Sequence, residues 1–249
     1  MIVFPMAGLS SRFFKAGYDR PKYKLRYGGK SVFQHVVEGF SAFAGNEPFL
    51  FICRSNFDTP KFVCSELSLL GLNSNDYDII ILEQPTRGQA ETVAIGLQAS
   101  GNYRSERLTI FNVDTVRHGF SRKFFSDASA GYLEVFVGEG DHWSFVLPED
   151  SSIPLQGRAK AVREKERISP LCSNGLYEFE AGDLFMELYS EQLALGRDRW
   201  GKEELFVAPL YQLGLQKGIP FHYSICQLDQ MDFCGIPSEY EELLNRFGT

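Results

Sequence analysis

Apolar residues in the first 111 positions follow two alternating patterns. Short continuous runs, typical of buried strands, alternate with stretches in which apolar residues recur every three or four positions, as on one face of a helix. The runs predict strands at 2–4, 49–53, 79–82 and 108–111, and the helical spacing predicts helices at 31–44, from Pro60, and near 88–99. Strands that alternate with helices pair in parallel through right-handed crossovers, and ligands then bind at the carboxyl ends of the strands.

The pattern changes after Asp114. Strand-like segments joined by short polar links predict antiparallel additions to the sheet at 132–137, 143–147, 159–163 and 175–179. Helices near 182–195 and 202–216, a strand near 221–227 and a helix from about 238 to 246 complete the prediction. No internal repeat, low-complexity tract or Pro/Ser-rich linker interrupts the chain. One continuous domain is therefore expected over residues 1–249.

The length and cysteine content narrow the class of protein. A chain of 249 residues is long enough for one large α/β domain or two small ones with a well-covered core. No charged leader precedes an apolar stretch, and no apolar run approaches the roughly 20 residues of a membrane helix. The five cysteines are widely spaced and show no metal-type pairing. These features predict a cytoplasmic protein with reduced thiols and no membrane segment.

The charge of the chain is unevenly distributed. The net charge is −7, which argues against a general nucleic-acid binder. Residues 1–30 nevertheless hold seven basic residues and one acid, so this stretch carries +6 and the rest of the chain −13. A basic patch on an acidic body suits a small anionic ligand bound at one place, although about half of these bases are expected to be ordinary solvated charges.

The segment that follows the first strand, Pro5–Arg12, is rich in small residues. A strand that breaks into small residues presents backbone N–H groups to an anion and forms a phosphate-binding concavity. Arg12 adds a rigid fork of donors, and Lys22 adds a compact charge on a flexible stem. We interpret the stretch as the binding site for a triphosphate. The three-glycine dinucleotide fingerprint is absent, and the Walker A loop fails because Lys24 stands where its first glycine would be.

Polar groups follow three further strands. A glutamine, Gln84, precedes Gly88 at the start of a helix, and a side-chain amide can face a base edge as donor and acceptor together. Asp114 ends the fourth strand, where a carboxylate facing a triphosphate would hold a divalent ion. Glu164 and Lys165 end another strand and could bind the hydroxyls and phosphate of a second substrate. The alternative interpretations are that Gln84 is a surface loop residue, that Asp114 caps a helix or forms a turn, and that Lys165 is a solvated lysine.

The order and spacing of these pieces resemble the signature of the nucleoside-diphosphate-sugar pyrophosphorylases. That signature comprises a strand, a small-residue loop ending in arginine, a Pro-Lys pair, and a Gly-Lys pair leading into a helix. The matching pieces are Met6–Arg12, Pro21-Lys22, Gly29-Lys30 and Ser31–Val37. Similar family segments match Glu83–Ala90, Asn112–Asp114, Glu164-Lys165, Ser173–Tyr177 and Asp232–Tyr240, so the resemblance covers nearly the whole chain.

The resemblance implies a fold, a reaction and a set of site residues. The fold would be a Rossmann-like, three-layer αβα arrangement on a mixed, mostly parallel sheet, with residues 1–115 as the nucleotide-binding half and 116–249 as the acceptor-binding half. The reaction would join a nucleoside triphosphate to a sugar 1-phosphate and release pyrophosphate, with Mg²⁺. Arg12 and Lys22 would be catalytic, and Asp114 and Asp232 would bind the metal. The nucleotide would contact Met6, Ala7, Gly8, Ser10, Ser11, Gln84, Gly88 and Gln89, and the acceptor would contact Glu164, Lys165, Asn174 and Gly175.

Two segments, His142–Phe145 and Lys202–Tyr211, resemble a capsule- and polysaccharide-associated branch of this family. The product would then serve surface polysaccharide synthesis. Three other functions stay open: a cytidylyltransferase acting on a non-sugar phosphate, a nucleotide-sugar-dependent glycosyltransferase, and a non-catalytic nucleotide-sugar sensor. The sequence does not determine the base, the acceptor or the oligomeric state, and a homo-oligomer stays open.

Overall fold

The computed structural model describes residues 1–101, 104–196 and 204–248. Its strands are β1 (Ile2–Pro5), β2 (Arg26–Tyr27), β3 (Lys30–Ser31), β4 (Phe49–Arg54), β5 (Tyr77–Leu82), β6 (Leu108–Phe111), β7 (Thr115–Arg117), β8 (Gly131–Val137), β9 (Ser144–Pro148), β10 (Gln156–Glu164), β11 (Leu171–Phe179), β12 (His222–Ile225) and β13 (Met231–Phe233). Its α-helices are α1 (Ser11–Lys15), α2 (Val32–Glu38), α3 (Thr59–Leu69), α4 (Gln89–Ser100), α5 (Gly182–Ala194), α6 (Ala208–Gln216) and α7 (Pro237–Phe247). The predicted mixed α/β class is confirmed.

Local sequence signals explain where two of the helices begin. Helix α2 starts at a capping box, in which the Ser31 hydroxyl accepts from the Gln34 amide and the Gln34 side chain accepts from the Ser31 amide. Helix α3 carries Pro60 in its first turn, where the missing N–H is not needed.

Helix α2 ends earlier than the apolar spacing predicts, at Glu38 rather than near residue 44. Gly39 follows it, and its carbonyl accepts from the Phe120 amide at 2.9 Å. A Cβ on Gly39 would lie 2.1 Å from the Arg117 carbonyl oxygen. This close backbone approach requires glycine, and a short 3₁₀ turn at Ser41–Phe43 carries the remaining apolar residues.

The chain forms two compact units. Unit 1 comprises Met1–Val3, Thr86–Phe111 and Arg122–Gln227, and unit 2 comprises Phe4–Pro85, Asn112–Ser121 and Leu228–Thr249. Strand β1 contributes residues to both units, because Ile2 and Val3 belong to unit 1 and Phe4 and Pro5 to unit 2.

In unit 2, the strands lie in the order β5-β4-β1. Strands β4 and β5 pair in parallel from Phe49 opposite Tyr77 to Arg54 opposite Leu82. The core is aromatic: the Phe4 ring stacks on Phe51, with 5.0 Å between ring centroids. Two small antiparallel ribbons, β2–β3 and β7–β13, complete the unit.

In unit 1, the strands lie in the order β1-β6-β11-β8-β12-β10-β9. Strands β1 and β6 pair in parallel, and β11 then pairs antiparallel with both β6 and β8. The predicted antiparallel additions are therefore present. Strand β12, for which the sequence predicted no direction, runs parallel to β8. A parallel partner requires a long crossover connection, and the chain between β8 and β12 includes α5 and α6.

The middle of unit 1 contains a buried charge. Glu178 on β11 has a side chain only 1% exposed, and it accepts hydrogen bonds from Arg107 at 2.8 Å and Arg122 at 2.7 Å. Arg122 also donates to the Thr109 hydroxyl at 2.9 Å. Burial raises the pKa of Glu178, and the two guanidinium groups oppose that shift. The carboxylate therefore holds residues from separate segments of the unit together.

Helix α6 begins at Ala208, later than the predicted 202–216. Leu205 instead forms backbone hydrogen bonds with Arg87 and Ala90, which is incompatible with a helix at that point. Lys202 and Glu203, at the start of that prediction and of the branch motif, lie outside the described residues.

The five cysteines are all free. Cys64 is exposed, and Cys53, Cys172, Cys226 and Cys234 are buried. None of the helices in the described part of the chain has the length and apolar character needed to span a membrane.

Candidate functional site

The loop after β1 begins buried and ends exposed. Met6 and Ala7 are buried, and the Met6 amide donates to the Ile52 carbonyl of β4 at 2.7 Å. Gly8, Ser11 and Arg12 are exposed. The loop is thus anchored to the sheet at its start and presents its glycine, a hydroxyl and a guanidinium to solvent.

Ser10 fixes the shape of this loop. Its backbone is left-handed, with φ of 51°, which is uncommon for a residue other than glycine. Its hydroxyl accepts from the Lys22 amide at 3.3 Å. The contact joins the small-residue loop to the Pro21-Lys22 segment, two pieces that the sequence predicted to act together.

Lys22 and Asp114 form an ion pair in unit 2. The ammonium donates to Asp114 Oδ2 at 2.5 Å, and the two side chains are 21% and 23% exposed. The residues are 92 positions apart in the sequence. Two of the predicted triphosphate and metal residues are therefore in direct contact, where a solvent-borne anion can reach the ammonium.

The backbone of Asp114 is held at the end of the β7–β13 ribbon. The Asp114 carbonyl accepts from the Cys234 amide at 2.8 Å, directly after the pair formed by Thr115 and Phe233. Burial, followed by the charge of Asp114, raises the pKa of the Cys234 thiol. Cys234 therefore stays a neutral packing residue beside the carboxylate.

Asp232 has a different environment from Asp114. Its Oδ1 accepts from Arg246 at 2.8 Å and its Oδ2 lies 2.8 Å from His118 Nε2, while its side chain is only 4% exposed. Both oxygens thus have protein partners, and one of those partners is permanently cationic. Asp232 ties helix α7 to the β7–β13 ribbon, and the geometry favours Asp114 as the carboxylate for a metal ion.

Asp114 is suited to a magnesium ion. A partly exposed carboxylate offers the hard oxygen ligand that Mg²⁺ prefers, and this ion commonly keeps its waters and binds through one or two carboxylates together with substrate phosphates. Over the described ranges, no group of three or more His, Cys, Asp or Glu side chains could hold a metal by itself. The residues present therefore fit an ion shared with a phosphate ligand.

The loop after β5 is held in a defined shape. Gln84 is exposed at the end of the strand in unit 2. In unit 1, Glu91 accepts from the Arg87 amide at 2.5 Å and from Arg87 Nε at 2.7 Å. The Thr92 hydroxyl donates to the Gly88 carbonyl at 3.1 Å. Gly88 and Gln89 are thus fixed at the start of α4 by the first turn of that helix.

Glu164 lies at the end of β10, opposite Ser144 of β9, whose hydroxyl donates to it. Burial raises the pKa of Glu164, while the Ser144 hydrogen bond and the charge of Lys165 oppose the shift. Lys165 Nζ lies 3.6 Å from Glu164 Oε1. Tyr177 is packed in the same cluster, and burial raises its pKa to about 12. The predicted acceptor pair is therefore a shielded carboxylate next to a partly exposed ammonium.

Asn174 and Gly175 lie in an irregularity of β11. The pairing of β11 with β8 shifts between Ser173 and Tyr177, and Gly175 has φ of 89°. Asn174 is 1% exposed, and its side-chain amide donates to Glu134 at 2.7 Å. In this structure Asn174 contacts the interior of unit 1, so any influence on a ligand would be exerted through the shape of the strand.

Three residues of these clusters, Ser144, Tyr177 and Phe206, lie in segments that match the family or its branch, but the sequence analysis gave them no place in the site. Ser144 and Tyr177 lie beside Glu164, and the Phe206 ring lies 4.1 Å from Lys165 Nζ. Only the register of β9 against β10 would place Ser144 beside Glu164, and a single sequence does not give that register.

Comparisons with known proteins identify relatives along the whole chain. A nucleoside-diphosphate-sugar pyrophosphorylase from Vibrio cholerae RC9 is 44% identical, with a TM-score of 0.91, and the match covers 98% of this chain and 100% of that one. The inositol-1-phosphate CTP transferase from T. maritima is 15% identical, with a TM-score of 0.71 over 99% of this chain and 94% of that one. A UDP-glucose pyrophosphorylase complexed with UDP-glucose is 16% identical, with a TM-score of 0.72 over 99% and 97%.

No protein-family model and no curated protein matches the chain. The two distant structures are similar in fold alone. The first match is 44% identical over 98% of this chain and 100% of the other, which is enough to show the family. The chain belongs to the nucleoside-diphosphate-sugar pyrophosphorylase family.

Proposed function

We propose that this chain transfers a nucleotidyl group from a nucleoside triphosphate to a sugar 1-phosphate or a similar small phosphorylated acceptor. The observation that carries the proposal is the Lys22–Asp114 pair at 2.5 Å beside the small-residue loop, in a chain 44% identical to a nucleoside-diphosphate-sugar pyrophosphorylase. An ammonium, a carboxylate and exposed backbone amides are the groups that a metal-bound triphosphate requires.

The reaction is an in-line displacement at the α-phosphorus. An oxygen of the acceptor phosphate forms a new bond to that phosphorus, and the bond from the phosphorus to the α,β-bridging oxygen breaks, so that pyrophosphate leaves with the electron pair. The attacking oxygen is already anionic, and no general base is needed. Catalysis then depends on positioning the two phosphates and neutralising their charge.

The residues of unit 2 would bind the triphosphate. Ala7, Gly8, Ser10 and Ser11 would line it with backbone N–H groups and hydroxyls, and Met6, whose own amide donates to Ile52, would contact the nucleotide at the start of the loop. Arg12 is exposed at the end of this loop and would stabilise the leaving phosphates, while Lys22 would hold the α-phosphoryl group and the acceptor phosphate.

Mg²⁺ would be held by Asp114 and would supply charge neutralisation to the triphosphate oxygens. Lys22 would pair with the bound triphosphate instead of Asp114. The Asp114 carboxylate would then be available to the metal without a large movement. The proposal gives this role to Asp114 rather than to Asp232, because the Asp232 side chain is only 4% exposed and each of its oxygens already has a protein partner, Arg246 or His118.

Gln84, Gly88 and Gln89 would contact the base, and Glu164 and Lys165 would bind the acceptor. The partly exposed Lys165 ammonium suits the acceptor phosphate, and the Glu164 carboxylate suits its hydroxyls. Asn174 and Gly175 would shape the β11 segment behind them. We further propose a three-layer αβα arrangement and a role of the product in surface polysaccharide synthesis, which the two branch motifs support.

The raised pKa of Glu164 gives a prediction about pH. The residue must be ionised to accept hydrogen bonds from the acceptor, and burial makes it take up a proton at a higher pH than an exposed glutamate does. As the pH falls through this raised pKa, kcat/KM for the acceptor should therefore decline. Glu164→Gln should lower kcat/KM at neutral pH and remove this decline, leaving only the titration of the acceptor phosphate near pH 6.

The matched control for Glu164 is Glu166→Gln, since Glu166 is 69% exposed and close by in the sequence. Its pH profile should coincide with that of the unaltered protein. An identical acidic decline in Glu164→Gln would contradict the assignment.

The experiment that tests the proposed function is a matrix of four nucleoside triphosphates against phosphorylated sugars, polyols and amino alcohols, monitored by pyrophosphate release. We expect one base and one acceptor class to dominate. Release that requires a non-sugar phosphate with CTP would favour the cytidylyltransferase alternative. Thermal stabilisation by ligands without any pyrophosphate would contradict the proposal and favour a sensor.

A further inference from the structure

Leu205 lies directly against the loop that begins α4. Its amide donates to the Arg87 carbonyl at 3.0 Å, and its carbonyl accepts from the Ala90 amide at 2.8 Å. These two hydrogen bonds bracket Gly88. A Cβ on Gly88 would lie 2.6 Å from the Leu205 nitrogen and 2.5 Å from its oxygen, so the approach requires glycine.

The residues on either side of Leu205 contact Lys165. The Lys165 ammonium lies 4.1 Å from the centre of the Phe206 ring and 3.9 Å from Glu204 Oε2. The Lys165 backbone is left-handed, with φ of 55°, and its amide donates to the Trp143 carbonyl at 2.9 Å. The backbone of Lys165 is therefore fixed by Trp143, the residue before β9, and its ammonium is positioned by Glu204 and Phe206.

We propose that Glu204–Phe206, here called the clasp, positions both substrate-binding elements of unit 1. The clasp holds the Gly88-Gln89 loop through Leu205 and holds the Lys165 ammonium through Phe206 and Glu204. This inference rests on the proposed function, in which that loop contacts the base and Lys165 contacts the acceptor phosphate. Phe206 is a positioning residue, because it acts on substrate through Lys165.

Substitutions in the clasp can change the KM for the acceptor without changing the KM for the triphosphate, whereas a general loss of structure would change both. A ring face holds an ammonium by electrostatic attraction, whereas leucine fills similar space without that attraction. Phe206→Leu should therefore raise the KM for the phosphorylated acceptor about three- to tenfold, leaving the KM for the triphosphate unchanged. Phe206→Tyr keeps a ring face and should restore the acceptor KM.

Gly88→Ala should affect both substrates. The added Cβ must displace Leu205, which moves the base loop and shifts Phe206 away from Lys165. We expect the KM for the triphosphate and the KM for the acceptor to rise together, although Gly88 itself contacts neither Phe206 nor Lys165 in the proposed arrangement.

The experiment measures both KM values by pyrophosphate release for the full-length protein and its variants. Phe124→Leu is the matched control for the ring, because Phe124 lies in the same unit with the Arg107 guanidinium carbon 6.0 Å from its ring centre and is 75% exposed. Thermal unfolding of each variant verifies that it is folded.

The possible outcomes are distinct. An acceptor-specific rise in Phe206→Leu, absent in Phe124→Leu and reversed in Phe206→Tyr, supports the proposal, whether or not Gly88→Ala folds. Equal KM values in Phe206→Leu and Phe124→Leu, in a protein that is otherwise active, overturn the clasp and leave the proposed function intact. Absence of pyrophosphate release from the unaltered protein with every substrate pair overturns both.

Discussion

Replacing Asp114 by asparagine is expected to lower the rate of pyrophosphate release about a hundredfold or more, with the fold unchanged. Asparagine has nearly the same size, so the Cys234 amide keeps its bond to the residue 114 carbonyl. What is lost is the negative charge, which the proposed function requires to hold Mg²⁺ on the triphosphate and which pairs with Lys22. The measurement is kcat at saturating triphosphate and acceptor, together with circular dichroism.

The control for this substitution is Asp229→Asn, since Asp229 is an exposed aspartate of the same unit and should retain full activity. Arg12→Ala is a companion variant, because its exposed guanidinium serves the same triphosphate. We expect it to lose most turnover as well. A turnover close to that of the unaltered protein in Asp114→Asn would mean that the ion pair is structural and that the metal, if one is used, is held elsewhere.

Replacing Glu178 by alanine is expected to cost roughly 3–5 kcal/mol of unfolding free energy. The carboxylate is 1% exposed and receives hydrogen bonds from Arg107 and Arg122. Without it, the Arg122 side chain, which is only 11% exposed, loses the carboxylate to which its Nε donates at 2.7 Å. Arg107 is 42% exposed and can turn toward water, so the loss should fall near the lower end of that range.

Urea unfolding monitored by fluorescence measures this loss for Glu178. Glu187→Ala provides the comparison, since it removes an exposed partner of Lys217 and should change the midpoint very little. If Glu178→Ala shifted the midpoint no more than Glu187→Ala does, the buried network would not contribute to the stability of unit 1.

The larger elements could be predicted from the sequence because their apolar spacing is regular. Strand β6 occupies Leu108–Phe111, as predicted, and α4 and α5 lie within a residue or two of their predicted bounds. The ribbons β2–β3 and β7–β13 were missed, since strands of two or three residues contain no period to detect. The parallel pairing of β12 with β8 could not be derived either, because a strand's own pattern does not name its neighbour.

The candidate site was predictable in its residue types and less so in its contacts. The resemblance grouped Lys22 with Asp114, and the structure brings them together across 92 positions. Spacing alone could not assign Asp232, because its partners are His118, directly after β7, and Arg246 on α7, which come together only in the folded unit. The clasp could not be predicted from the sequence either. Leu205 and Phe206 lie among apolar positions that predict an ordinary helix.

The distribution of the free cysteines has a practical consequence. Cys64 is exposed, whereas Cys53, Cys172, Cys226 and Cys234 are buried. A maleimide added to the native protein should therefore label one position, and five after denaturation. Intact mass spectrometry would then report the extent of opening as a number of adducts.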